Sequence, residues 1–300
     1  MPRREIIPVE NQRPSAQPDS WGALKQFTTA RIALGRAGAS WRTESLLAFR
    51  LAQARARDAV CRTFDADLIG QQLRQLGYET ARLSTQAQSQ ATFLKRPDLG
   101  RKLSEESRRF LIQNSFTSAD QRPFNSPSPG GEGRGEGEQP SAGGADSADH
   151  QRWSGRHLAV MVSDGLSSLA AEAHAVPTLA KLLLLLQRAG WTICPIFIVP
   201  YARMKLQDEI GVLLGARHAL ALLGERPGLG SPDSLGAYFT WQPGLDKTDA
   251  DRNCVSNIHS AGLPPEAAAE KLAQLLLRSA EQRCSGIRLK ETVEPFKTIE

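Results

Sequence analysis

Ala216–Gly230 reads A-R-H-A-L-A-L-L-G-E-R-P-G-L-G. Its apolar run, Ala219-Leu220-Ala221-Leu222-Leu223, stops in a loop of three glycines, a proline and the adjacent pair Glu225-Arg226. A short apolar run bounded by turn residues suits a strand buried on both faces of a sheet. In open α/β sheets the chain turns away at the carboxyl end of such a strand and leaves a crevice for ligands. Glu225 therefore has the address of a ligand-contacting residue.

Strand and helix patterns alternate on either side of that run. His157–Val162 predicts a strand ending in Ser163-Asp164-Gly165, and Ser167–Gly190 a helix broken near Pro177. Ile193–Val199 is a second strand, Gln207–Leu214 a short helix closed by Gly215, Leu220–Leu223 the third strand and Ala237–Trp241 a fourth. Glu266–Arg283 is a long amphipathic helix with Pro265 in its first turn. Repeats of this kind give right-handed parallel crossovers, hence an α/β fold with a Rossmann-like, mostly parallel sheet and flanking helices over 152–300.

A smaller, mainly helical region precedes it, over 21–124. Glu44–Cys61 places Leu46, Leu47, Leu51 and Ala54 on one face, with Thr43 as its cap. Asp67–Leu76 ends at Gly77, and a further helix carries Leu99, Leu103, Phe110 and Leu111. One short strand is expected at Ala81–Leu83. Residues 1–20 read as a disordered leader rich in Pro, Gln and Arg. Residues 125–151 hold seven Gly, three Pro and four Ser, with five acids against Arg134. Such a segment cannot bury itself and reads as a disordered insertion. Its G-x-G character does not make a dinucleotide fingerprint, because no strand precedes it and no helix follows.

The chain has 300 residues, 40% of them apolar, which is enough for a real core. No apolar run, Leu182–Leu186 among the longest, approaches a membrane span. The amino terminus lacks an apolar signal core and has prolines at 2, 8, 14 and 18, so the chain reads as cytoplasmic, with or without a bacterial microcompartment around it. Cys61, Cys194, Cys254 and Cys284 are scattered without metal-ligand spacing and read as free thiols. Residues 1–120 hold 19 Lys/Arg against 12 Asp/Glu. That excess suits an acidic partner or an anionic cofactor as well as nucleic acid, and no aromatic-interleaved RNA motif or zinc finger favours the last.

Ser163-Asp164-Gly165, Val199–Met204 and Gly224–Gly230 should share one sheet edge. The polar run Asp251-Arg252-Asn253-Cys254-Val255-Ser256-Asn257-Ile258-His259 is expected to close over them. Asp164 is placed to cap the following helix. Met204 alone is core or loop filler, Cys254 alone a packed thiol, and Glu225–Arg226 alone a solvated pair. His259 has no Ser or Cys partner at recognisable spacing. Walker A, G-x-S-x-G, H-E-x-x-H and D-x-H-x-x-G are all absent. A Rossmann enzyme for nicotinamide cofactors would need G-x-G-x-x-G after a strand. A basic adaptor would rest on the amino-terminal charge alone.

Six segments carry a resemblance: A-R-I-A-L-G-R-A-G (30–38), R-T-E-S-L-L-A-F (42–49), F-L-K-R-P-D-L-G-R-K-L (93–103), V-S-D-G-L-S (162–167), G-E-R-P-G-L-G (224–230) and D-R-N-C-V-S-N-I-H-S-A-G-L-P-P (251–265). In this order they resemble the small (light) subunit family of ethanolamine ammonia-lyase, over most of residues 21–290. The resemblance implies an adenosylcobalamin-dependent lyase that turns ethanolamine into acetaldehyde and ammonia by radical chemistry. It further implies a large-subunit partner, a TIM barrel that binds the substrate, with the small subunit covering the cofactor at the interface. The missing D-x-H-x-x-G agrees with a cobalamin that keeps its own dimethylbenzimidazole on cobalt. Family cofactor contacts fall on Met204, Glu225 and Cys254, with no catalytic or metal-ligating residue in this chain. Met204 stands where the family often has Val, Ala202 where it tends to have Gly, and the insertion at 125–151 is unusual for it.

Overall fold

The computed structural model describes residues 21–28, 30–114 and 157–289. The leader at 1–20 and the insertion at 125–151 lie outside the described residues.

The chain divides into two compact units, Met1–Ala54 and Arg55–Glu300. In the first, a 3-10 turn at Gly22–Phe27 is followed by two short antiparallel strands, β1 (Arg36–Ala37) and β2 (Ser40–Trp41). Gly35 and Gly38 take positive φ values of 67° and 61° there, a conformation that suits glycine. Helix α1 (Thr43–Cys61) begins in this unit.

The second unit contains α2 (Ala66–Gln75), β3 (Thr80–Arg82), α3 (Gln90–Lys95), α4 (Glu105–Gln113), β4 (His157–Ser163) and α5 (Ser168–Arg188). There follow β5 (Thr192–Ile198), α6 (Leu206–Leu214), β6 (His218–Gly224), β7 (Leu235–Trp241), β8 (Arg252–Ile258) and α7 (Pro265–Gln282). The strands form one six-stranded sheet in the order β3-β5-β4-β6-β7-β8. The β3, β5, β4 and β6 neighbours run parallel, while β7 and β8 pair antiparallel.

Two expectations change here. The alternation of strand and helix ends at β6: the loop to β7 holds no helix, so the chain turns straight back as a hairpin rather than crossing over. The polar run at 251–259 is not a loop lying over the others but the edge strand β8, with Arg252, Val255 and Ile258 buried. The short strand expected at Ala81–Leu83 forms at Thr80–Arg82 and pairs with Ile196–Ile198 at the opposite sheet edge.

Alternation within β4 explains the two layers of helix. Leu158, Val160 and Val162 face α2, α5 and α7 through Ile69, Leu73, Leu179, Leu182, Leu272 and Leu276. Ala159 and Met161 face α4 and α6 through Leu111, Leu206, Ile210 and Leu214. Every residue of β6 is buried, as an apolar run with helices on both sides requires. In β5 the register against β4 shifts by one residue around Pro195, which has no N–H to give to the ladder. Helix α5 runs unbroken through Pro177; the Thr178 hydroxyl bonds back to the His174 carbonyl at 2.7 Å. By length and composition α5 could cross a membrane, but its Ala171, Ala175, Leu179, Leu182 and Leu186 are fully buried in the sheet core.

His218 is among the polar residues sealed into this core. The His218 ring lies 4.7 Å from both Trp191 and Trp241, and Nε2 meets the Ser279 hydroxyl at 3.1 Å. Burial pushes the imidazole down to about 3, so it stays neutral in the fold well below the pH at which the unfolded chain protonates. The unfolded state therefore binds the extra proton, and stability falls as pH drops from about 6.5 toward 3 by up to about 1.4 kcal/mol per unit. Urea unfolding of the chain at pH 7 and pH 5 is expected to show a loss of roughly 2 kcal/mol from this group. His218→Gln should flatten that slope, and an unchanged slope would remove His218 as its source.

Candidate functional site

The loops after β4, β5 and β6 all leave the carboxyl edge of the sheet. Two of them touch backbone to backbone. Gly165 sits at φ 54°, and a Cβ built on it would lie 2.4 Å from the Gly224 carbonyl oxygen. A Cβ on Gly224 would meet the Ser167 and Asp164 carbonyl oxygens at 2.0 and 2.4 Å. The Leu166 N–H donates to the Gly224 carbonyl at 2.8 Å, and the Ser167 hydroxyl donates to Pro232 O at 2.9 Å. V-S-D-G-L-S and G-E-R-P-G-L-G are thus halves of one structure.

Asp164 does not cap α5; Ser167 does, its Oγ accepting from Ala170 N at 3.2 Å. Asp164 Oδ1 instead accepts from the Tyr201 N–H at 2.7 Å and the Ser163 hydroxyl at 2.9 Å. It thereby holds the turn after β5, where Tyr201 has φ 61°. Burial pushes its carboxyl up to about 6 against these bonds. The same turn rests on the 93–103 segment. Tyr201 O lies 2.8 Å from where a Gly100 Cβ would be, and Arg203 N donates to Gly100 O at 2.8 Å. The Arg203 guanidinium lies 4.0 Å over the Phe93 ring. Burial, then the charges of Arg101 and Arg226, hold it below its ordinary value, with Asp164 opposing them.

Glu225 follows β6 directly and is half-buried. Its Oε2 accepts from the Ser234 hydroxyl at 2.5 Å and from Asn257 N at 3.3 Å. The second bond depends on an irregularity in β8: opposite Gly236 the register shifts, and Asn257 takes φ 60°. Such a bulge re-aims one backbone group, here the Asn257 N–H, toward the carboxylate. Oε1 lies over Gly236, 2.8 Å from where a Cβ would be, with the Tyr238 hydroxyl 2.9 Å from the same point. Tyr238 is the cross-strand partner of Cys254. Its hydroxyl and the Cys254 sulfur are within hydrogen-bonding reach, and each feels the Glu225 charge. Cys254 is exposed as a residue, yet packing around its sulfur and the Glu225 charge push the thiol up to about 11. It is a neutral S–H at ordinary pH, not a nucleophile.

The structure therefore brings Glu225 and Cys254 together through Tyr238. Met204, half-buried just before α6, packs on the extended apolar cluster that Tyr238 also borders. His259 is buried with Nε2 on Asn257 Oδ1 at 2.8 Å and serves the bulge. Tyr238 escapes a sequence reading because its place depends on the β7–β8 register; the only local sign is an aromatic in a strand.

What holds β8 in place is a buried ion pair. Arg252 donates to Asp208 on α6 at 2.9 Å (Nη1 to Oδ1) and lies 2.8 Å away between Nη2 and Oδ2, with the two side chains 2% and 0% exposed. Nη1 also reaches Thr240 Oγ1 at 3.2 Å. Burial pushes the Asp208 carboxyl up, and Arg252 pulls it back.

An open, mostly parallel sheet whose strand-end loops lock together at one edge defines the class: an α/β chain with its candidate site at the carboxyl edge. The family model for the ethanolamine ammonia-lyase light chain matches residues 18–122 and 136–290. The chain is 42% identical over 284 residues to the ethanolamine ammonia-lyase small subunit of Azotobacter vinelandii, covering 95% of this chain and 93% of that one. It is 39% identical over 286 residues to that of Pseudomonas putida strain W619, covering 95% and 92%. To the Ralstonia nicotianae small subunit it is 40% identical over 274 residues, covering 91% and 89%. The chain belongs to the ethanolamine ammonia-lyase light-chain family and is a subunit of a lyase, with a large-subunit partner implied. The break between the two matched spans falls at 123–135, overlapping the segment read as an insertion.

Arg252→Ala is expected to cost roughly 3–5 kcal/mol by stranding the Asp208 carboxylate. Denaturant unfolding measures this, and a loss below 1 kcal/mol would show that the pair does not anchor β8.

Proposed function

We propose that this chain is the cofactor-covering small subunit of an adenosylcobalamin-dependent ethanolamine ammonia-lyase, cytoplasmic, with its Rossmann-like domain over 152–300 presented to the large subunit. Met204, Glu225 and Cys254 are its contacts with the cobalamin. The observation that supports this most is the cluster of Glu225, Tyr238 and Cys254 over a residue without a side chain, Gly236. A large, amide-rimmed macrocycle needs a shelf with few projecting atoms and polar groups at fixed heights, and these residues fit that need.

Glu225 Oε2 is held by two donors, so the carboxylate does not have to be ordered when a ligand arrives. Oε1 remains as an acceptor for an amide N–H, and a charged acceptor makes the stronger kind of hydrogen bond. Cys254 acts by packing or through its backbone groups, its thiol neutral. Met204 supplies an adaptable apolar contact, through backbone or side chain, at the start of α6. Arg203 with Arg101 and Arg226 near it sets a positive field at the edge, which suits an anionic group on the ligand or partner. When bound, adenosylcobalamin supplies the radical chemistry; the residues of this chain orient it and exclude water.

The isolated chain is expected to form no acetaldehyde from ethanolamine, and to support it only with the large chain and adenosylcobalamin. Turnover by this chain alone contradicts the proposal. Glu225→Ala should still assemble but hold cobalamin more weakly by about 1–3 kcal/mol, the cost of a donor left without its acceptor. Equilibrium dialysis on the assembled complex measures it, and unchanged affinity removes Glu225 from the contacts.

A further inference from the structure

Tyr238 has no place in the contacts above, yet it is the group on which they converge. Its ring packs against the apolar cluster of Ala221, Leu223 and Met161. That fixes the ring and carries the hydroxyl out toward Glu225. Two polar atoms of different character then overhang the same backbone position: the Glu225 Oε1 acceptor and the Tyr238 hydroxyl, 2.8 and 2.9 Å from one point above Gly236. Any side chain at 236 would separate them. Behind the hydroxyl lies Cys254, directly across the β7–β8 ladder. Its thiol keeps its proton, pushed up to about 11 by burial and the Glu225 charge. The neutral thiol holds no charge to keep the phenolic proton, so the Tyr238 O–H can turn from the sulfur and donate forward.

An acceptor and a donor side by side match one chemical group, the primary amide, which offers an N–H and a carbonyl oxygen in one plane. Corrin rings carry such amides on their rim. We infer that Tyr238 and Glu225 together grip one peripheral primary amide of the corrin, Glu225 Oε1 accepting its N–H and the Tyr238 hydroxyl donating to its carbonyl oxygen, with Gly236 leaving room for the pair. Cys254, itself a cobalamin contact as above, also backs the Tyr238 hydroxyl across the ladder. The inference rests on the cobalamin-contacting role proposed for this edge and adds the ligand group that is recognised.

The test is equilibrium dialysis of hydroxocobalamin against the assembled two-subunit complex carrying wild-type chain, Tyr238→Phe, Glu225→Ala or both. Tyr238→Phe keeps the ring and its packing, so assembly and thermal stability should not move. Its cobalamin affinity should fall about tenfold, the effect of one lost hydrogen bond. Because both groups hold one amide, the double variant should lose less than the product of the two single effects. Gly236→Ala keeps both groups but pushes them apart, and must weaken cobalamin as well. Wild-type affinity in Tyr238→Phe or in Gly236→Ala, with Glu225→Ala weakened, overturns the amide grip and leaves the cofactor contact standing. Strictly multiplicative losses also overturn it, since two independent contacts would then explain them. Wild-type affinity in all variants, Glu225→Ala included, overturns the contact and the grip together.

Discussion

The site depends on one close approach of bare backbone, Gly165 against Gly224, at the ends of β4 and β6. Neither position can accept a Cβ without moving a carbonyl oxygen, so the two loops are locked in a single relation. From that lock the rest follows by short steps. Ser167 starts α5 and ties down Pro232. Glu225 N–H bonds Ser234 O at 2.9 Å, and the β6–β7 hairpin closes on the register that sets Gly224 opposite Leu235. The hairpin brings Gly236 and Tyr238 beneath the carboxylate.

A second constraint works from the other side. β8 is a polar edge strand, and little apolar surface recommends it to the sheet. The Arg252–Asp208 pair and the two buried residues Val255 and Ile258 hold it. A buried ion pair contributes little net stability compared with an apolar substitute, but it tolerates only one geometry once both partners are dry. That geometry sets Cys254 opposite Tyr238 and the bulge at Asn257 under Glu225. The D-R-x-C-x-S-N run is then understandable as chemistry: the arginine anchors, the cysteine faces the site, and the asparagine supplies a re-aimed N–H.

The parallel core was legible because β4, β5 and β6 are apolar on both faces and end at turn residues, which leaves no other home for them. Glu225 was legible as an address for the same reason. Strand β8 was not, because an edge strand with Asn253, Cys254, Ser256 and Asn257 in it has a loop's composition, and only the ladder to β7 makes it a strand. The antiparallel turn after β6 hid for a related reason: a ten-residue loop without helical pattern does not announce which way the chain returns. Asp164 looked like a cap since acids before helices usually are; the competing donor, Tyr201 N–H, lies 37 residues away in sequence. Glu225 and Cys254 were named from a family resemblance, but Tyr238, between them, required coordinates.

The structure of the assembled complex with cobalamin bound tests the central claim most directly. The account predicts a peripheral amide of the corrin within hydrogen-bonding distance of Glu225, with the ring lying across the shelf formed by Gly236 and Cys254. A corrin held wholly by the large subunit, with Glu225 and Cys254 facing solvent or protein alone, would contradict it.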